Sequence, residues 1–508
     1  MHLSHFSRWT QSWMVRGAHE TRDLTGSKRR ISGVLCPPNK EAIAEIVRQA
    51  CRSRGIQLQP ISCGRNWGFG SALPDQDDVY LLDLSLLNSI QNLDLTEHRV
   101  TLEPGVTQGQ LDKALELSGR SHTFNVTGAG ATASVLGNAL ERGIGYVQQR
   151  DLDILELELI TGNGDILKTS RFDSRLAGRH RSGLGPDPLG LFTQSSFGIV
   201  TGATLALKRR PEQMSSLSLA MRDADCLPEF FTVLSDILAE GWLHCVPHVF
   251  NDTRFTTSLE PFLGPANTPQ FSPWSAMIPI AAPSAVARGM AQELERRLSP
   301  LGKVTSALLS CPVDQTQPAS QHPVTAMPPY LLAELGKLSQ GIPSNIAMPG
   351  VAWAALQKRV ADDSDPETAS TAGLIHVTPT CPLAGGAPTE LLSIIERVRS
   401  THRWRTLPMT FNVMSCRLAA LIISIPFDRA QPDEAARCRD FASELLEACC
   451  FAGFAPYRLG IEPKAASLPS AAAPWRNLFS AIQQQLDPYS VLASGKYHHL
   501  WENRVVSC

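Results

Sequence analysis

The sequence predicts an α+β protein in which one α+β domain is interrupted by another. Three observations carry that reading. From about residue 32 to 211, helix-like and strand-like segments alternate and are joined by glycine-rich turns. After Arg209-Arg210-Pro211 the glycine turns thin out and longer helical stretches take over. From Pro456 the chain reads as a return to the first domain. The division is 1–212 for the first part of one domain, 213–455 for the inserted domain, and 456–508 for the return.

In the first part, Asn39 to Arg54 places Ile43, Ile46, Val47 and Ala50 on one face, which predicts an amphipathic helix. Leu58 to Cys63 predicts a short strand leading into the loop Gly64-Arg65-Asn66-Trp67-Gly68-Phe69-Gly70. Strands are expected at Val79 to Leu84 and His98 to Leu102, and a helix at Gln108 to Ser118. Asp151 to Thr161 alternates apolar and acidic residues, as a half-buried strand does, and Gly162-Asn163-Gly164 turns it into Ile166-Leu167. In the inserted domain, helices are expected at Met221 to Gly241, Ala285 to Leu301, Thr389 to Ser400 and Ala435 to Gly453. Strands are expected there at Gly373 to Thr378 and Leu418 to Pro426. Pro312 to Pro329, rich in Pro, Gln, Ser and Thr, reads as an exposed connection.

The 508 residues leave room for two or three domains. With 43% hydrophobic and 19% charged residues the chain has ample core material, which excludes a disordered protein. The formal net charge of -2 supplies no general attraction to nucleic acid or to anionic membrane. No apolar run reaches the ~18 residues of a membrane span, and the amino terminus lacks a secretory apolar core. Twelve cysteines without a CxxC pair read as reduced thiols. The expectation is a soluble, cytoplasmic protein.

Two glycine loops carry the chemistry. One is Ser62 to Gly70; the other is Gly128 to Asn138, running on through Glu141 to Tyr146. Glycines let successive N–H groups converge on an anion, and Ser62, Asn66, Ser134 and Asn138 add side-chain donors and acceptors. Neither loop is a Rossmann or a P-loop motif.

In order, the runs Pro60 to Asn66, Glu103-Pro104-Gly105-Val106-Thr107, Ser134 to Tyr146 (SVLGNALERGIGY) and Phe192 to Thr201 (FTQSSFGIVT) resemble the vanillyl-alcohol oxidase/p-cresol methylhydroxylase family of flavoenzymes. The tail Asp487-Pro488 with Val491 to Tyr497 fits that family's carboxyl-terminal signature. The resemblance implies a PCMH-type FAD-binding domain with an inserted cap domain, and FAD with its ring at their boundary. By position it implies that Ser62, Gly64, Arg65, Asn66, Trp67 and Gly68 wrap the pyrophosphate. It implies that Pro104, Gly130, Ser134, Gly137, Asn138, Gly143 and Tyr146 approach from the other side. Ile199, Val200, Arg458 and Lys496 complete the cofactor set. A dianionic pyrophosphate in a near-neutral protein needs such local donors.

On the substrate side, Tyr457-Arg458 resembles the family's Tyr-Arg pair, Tyr146 another active-site tyrosine, and Phe69 and His376 would line the same cavity. Arg458, Tyr457 and Tyr146 are the catalytic candidates. The chain departs from the family in three places: Phe69 replaces a phenol-binding tyrosine, the acidic residue beside the flavin falls at Ala129, and a paired-histidine segment becomes Ala420-Leu421. Leu374 stands where a flavin-linking histidine would be, with His376 two residues on, so FAD is expected to be non-covalent. The function expected is hydride transfer from a small aromatic or heteroaromatic substrate, phenol- or carboxylate-bearing, to flavin and then to oxygen or another acceptor. A homodimer is implied by the resemblance. The alternatives are a 2-hydroxy-acid dehydrogenase, whose metal would fall to His244 and His248, and a non-redox flavoprotein acting as isomerase or cyclase.

Overall fold

The computed structural model describes residues 6, 9–170, 175–181, 184–211, 213–309, 334, 336–361, 366–462 and 472–500. The expected connection from Pro312 to Pro329 lies outside them.

The expected amphipathic helix forms at Lys40–Ser53 because Asn39 caps it, its side chain accepting from the Ala42 amide at 2.9 Å. Its apolar face packs beside a five-stranded sheet in which Lys28–Leu35, Val79–Asp83 and Leu58–Ile61 run parallel. Met14–Arg16 and His19–Arg22 add antiparallel strands at its edge. A second five-stranded sheet is antiparallel, in the order Ile166–Lys168, Ile154–Ile160, Ile199–Ala206, Arg99–Leu102 and Ile90–Asp94. The expected strand from Asp151 starts later, at Ile154. Asp151 and Asp153 belong to a short 3-10 turn, where the Asp153 carboxylate accepts from Asn125 at 3.0 Å and Gln148 at 2.7 Å. Those side-chain bonds outcompete strand pairing at the acidic positions.

Between residues 213 and 428 the strands join one antiparallel eight-stranded sheet. Its main path is Gly302–Leu309, Gln213–Met221, Trp274–Ala282, His248–Asn251, Met409–Val413, Leu418–Asp428 and Ala372–Val377, with Thr380–Pro382 paired to Leu418–Asp428. Only two of these strands are expected from the sequence. Ser-rich QMSSLSLAM and Pro-bearing WSAMIPIAA are weak strand formers, and pairing with each other decides their state. Met221 accordingly ends a strand, and the helix begins at Cys226. Leu418–Asp428 is buried at nearly every position and is therefore covered on both faces. Phe231 on the helix Cys226–Ala239 meets Phe411 edge-on at 5.0 Å. Among the described residues no helix is long and apolar enough to cross a membrane, and the cysteines are free.

The tail closes the first sheet. Leu58 donates to the Val491 carbonyl at 2.8 Å and accepts from the Ala493 amide at 2.9 Å. Asp487 makes that course possible: its two carboxylate oxygens accept from the buried amides of Val491 and Leu492 at 2.9 and 2.8 Å. Asp487→Ala orphans both amides and should cost about 3 kcal/mol. The expected readout is faster proteolytic clipping within residues 472–500 and a lower thermal midpoint, with far-ultraviolet dichroism retained.

Candidate functional site

The strand Leu58–Ile61 delivers the first glycine loop, and the second loop caps the short helix Val135–Leu140. Ser134 is its N-cap: the hydroxyl accepts from the Gly137 amide at 2.8 Å and donates to the Pro104 carbonyl at 2.6 Å. The two loops meet face to face. A methyl group on Gly137 would overlap the Ser62 hydroxyl, so glycine here gives the two loops their close approach. Between them and the tail lies a cleft lined by Ser62, Gly64, Arg65, Asn66, Phe69, Pro104, Ser134, Gly137, Asn138, Val200, Arg458 and Lys496, all expected from the sequence.

Other expected residues stand elsewhere. Gly130 faces Asn345 and Met348 instead of the cleft. Gly143 packs on the Asn138 side chain and supports it from behind. Ile199 points into the core beneath the first sheet, since neighbours on a strand alternate and Val200 takes the cleft side. Trp67 is a neighbour of Arg65, whose guanidinium carbon lies 6.0 Å from its ring. Gly68, at φ +73°, turns toward the ring of His376, whose Nε2 would lie 2.8 Å from any added methyl group. Cys63 is a partly buried thiol, pushed up to about 11 chiefly by burial.

Glu141 was not singled out by the sequence, yet it organises the site. It follows the helix Val135–Leu140, and its Oε2 meets Lys496 Nζ at 2.7 Å, Arg458 Nε at 3.3 Å and the Tyr497 hydroxyl at 3.1 Å. Burial alone would raise this carboxyl, but Lys496 and Arg458 overcome it and hold the group below the ordinary carboxylate range. The only signal in the sequence was its place within SVLGNALERGIGY. Arg458 is 7% exposed, donates to Asn66 Oδ1 and lies with its guanidinium carbon 4.5 Å from the centre of the Phe69 ring.

Tyr457 follows the same turn, its amide donating to the Thr378 carbonyl at 3.1 Å. Tyr146 stacks on His248 at 4.4 Å, and burial raises both tyrosine hydroxyls. His248 Nδ1 is bound to the Val246 carbonyl at 2.8 Å, and burial lowers the ring to about 4. His376 sits 5.1 Å from Phe69, with Nδ1 3.1 Å from the Ser424 hydroxyl. Burial and then the Arg254 charge lower it to about 3. Both imidazoles are neutral at physiological pH. His244 is exposed, and among the described residues no cluster of His, Cys, Asp and Glu has the makings of a metal site.

The cleft lining carries Arg65, Arg458 and Lys496 against Asp75 and Glu141. That excess of cations, between loops held together by Gly137, fits an anionic dinucleotide. The family described as "FAD binding domain" matches residues 31–170. The chain is 27% identical, over 526 residues covering 96% of it and 94% of its relative, to 1'-carboxy-chondrochloren decarboxylase of Chondromyces crocatus. Its fold is similar to 4-ethylphenol oxidase from Gulosibacter chungangensis, with a TM-score of 0.80 and 20% identity over 99% of this chain and 97% of that one. It is equally similar to p-cresol methylhydroxylase, with a TM-score of 0.80 and 19% identity over 98% of this chain and 96% of that one.

Gly137→Ala should part the loops and cut the flavin content of purified protein at least tenfold, read from absorbance near 450 nm, while the fold persists by circular dichroism. The histidines make a separate prediction. Their folded values of about 4 and about 3 lie below the ordinary 6.5, so the neutral rings favour the folded state. That contribution is complete above pH 6.5 and is lost as pH falls from there toward 4, by up to about 1.4 kcal/mol per pH unit for each ring. His248→Phe should flatten the thermal midpoint across this window; an unchanged slope would assign it elsewhere.

Proposed function

We propose that this chain, whose residues 31–170 match an FAD binding domain and whose fold is similar to that of p-cresol methylhydroxylase, oxidises a small aromatic substrate that bears a carboxylate. The observation that carries the reading is the buried Arg458 guanidinium, laid over Phe69 and joined to Asn66 and Glu141 where the cleft meets the eight-stranded sheet. When bound, FAD supplies a two-electron acceptor for hydride. The chain's own residues supply placement and charge. Arg458 stabilises the negative charge that gathers beside it as the substrate is oxidised. Tyr457 and Tyr146, kept protonated by burial, serve as donors to a substrate oxygen and not as bases. Phe69 offers a flat apolar wall to an aromatic ring. FAD is held non-covalently in this reading: His376 has Nδ1 at Ser424 and Nε2 toward Gly68.

The relative that spans nearly the whole chain is a decarboxylase, and this favours one fate for the carboxylate. The C–H bond on the carbon next to the ring breaks and leaves as hydride. The adjacent C–CO2⁻ bond breaks, CO2 departs, and its electron pair becomes the new C=C bond. One carboxylate anion thus yields a neutral alkene, CO2 and hydride, and no further reactant is consumed.

Mixed anaerobically with 4-alkylphenols that carry a side-chain carboxylate, the holoenzyme should lose its 450 nm absorbance and release one CO2 per flavin reduced. Bleaching without CO2 would restrict the activity to simple dehydrogenation, and no bleaching with any aromatic carboxylate would sink the proposal. Arg458→Ala should slow reduction by at least 100-fold with flavin still bound. Acid precipitation should release the yellow cofactor into the supernatant.

A further inference from the structure

On the far side of His376 from Phe69 lies a second guanidinium that the reading above leaves unused. Arg254 is in the first turn of the helix Asp252–Leu263, whose N-cap Asn251 fixes it firmly: Asn251 Oδ1 accepts from the Arg254 amide at 3.0 Å and from Met409 at 2.9 Å, and its Nδ2 donates to the Leu407 carbonyl at 2.8 Å. The guanidinium donates to the Ser424 hydroxyl at 2.6 Å and to the Pro408 carbonyl at 3.3 Å. Its Nε–H is buried and has no acceptor among the described residues. No carboxylate among them pairs with it either. Burial is the one cause that lowers it, to about 10, and the facing imidazole of His376 is itself held neutral.

Such an arrangement is costly in an empty protein. A partly buried cation whose Nε–H is buried and unsatisfied, and whose acceptors are all neutral, is poorly compensated. The two cations on the cleft edge differ from it: Arg458 and Lys496 share the Glu141 carboxylate. The side chains run in order from Arg458 over Phe69, to His376 at 5.1 Å from that ring, to Ser424, to Arg254. A substrate lying along the Phe69 and His376 rings would present one end to each guanidinium.

We infer that Arg254, with Ser424 and the neutral His376, is the subsite that receives the substrate's carboxylate, while Arg458 serves its ring end. This deepens the proposed function and rests on it. The carboxylate takes a charge-assisted pair of hydrogen bonds from the guanidinium, including the orphan Nε–H. Ser424 positions the guanidinium, because its hydroxyl is shared between Arg254 and His376.

Calorimetric titration of the anaerobic, chemically reduced holoenzyme, which can accept no hydride, with 4-hydroxyphenylacetate and with its neutral alcohol congener tests the inference without turnover. The native protein should bind the carboxylate about 30-fold more tightly, the fold-change of a charged hydrogen-bonded contact. Arg254→Met should abolish that preference, change alcohol binding by less than about threefold, and leave the thermal midpoint of ligand-free protein unchanged or higher, since it removes an uncompensated charge. Arg254→Lys should keep part of the preference. No preference in the native protein, a preference that survives Arg254→Met, or an equal loss of both ligands would overturn it. So would a ligand-free Arg254→Met protein that melts markedly lower or fails to fold, because the charge would then have its partner within the protein. Absence of flavin bleaching with intact carboxylate preference would sink the oxidative reading and leave this subsite standing.

Discussion

One carboxylate holds the site together. Glu141 receives Lys496, Arg458 and Tyr497, and so ties the end of the second glycine loop to the turn before the tail and to the tail itself. Two buried cations so near each other would repel and desolvate at great cost without it. With it, the three segments converge on one edge of the cleft, and the cluster keeps cationic character toward whatever occupies the space beside it. The tail's other anchor, Asp487, is independent of this charge cluster and uses two backbone amides instead.

The eight-stranded sheet contributes by register. His376 stands opposite Ser424, so the two side chains share one face, and the capped helix Asp252–Leu263 brings Arg254 to the same serine. A one-residue slip of either strand would turn His376 or Ser424 to the other face and dismantle the pair. The burial of the strand Leu418–Asp428 on both faces fixes that register, because a slip would also misplace Ile423 and Ile425, both fully buried. Specific polar geometry here is a consequence of apolar packing.

Much of the first part of the chain was legible because its signals are local. Asn39 and Thr107 cap helices within four residues of themselves, and Ser134 begins another in the same way. Of the expected loop glycines Gly64 and Gly137 line the cleft, whereas Gly68, Gly130 and Gly143 serve packing against His376, Asn345 and Asn138. The inserted sheet was poorly legible. Gln213–Met221 and Trp274–Ala282 have little intrinsic strand preference and acquire it from each other across an eight-pair register. Asp151 and Asp153 looked like outward-facing strand positions, and bonds from Asn125 and Gln148 drew Asp153 into a turn.

By itself, then, the amino-acid order determined where the chain turns and where its capped helices start, and its resemblance singled out two glycine loops and a carboxyl-terminal segment that line one cleft. Those features depend on backbone freedom and hydrogen bonds spanning a few residues, which a linear reading contains. The tertiary structure alone decided that Glu141 answers Arg458 and Lys496, and that Arg254 faces His376 through Ser424. Electrostatic partnership depends on distance in space and on the exclusion of water, and neither is written in the spacing between residues 141 and 458 or 254 and 424.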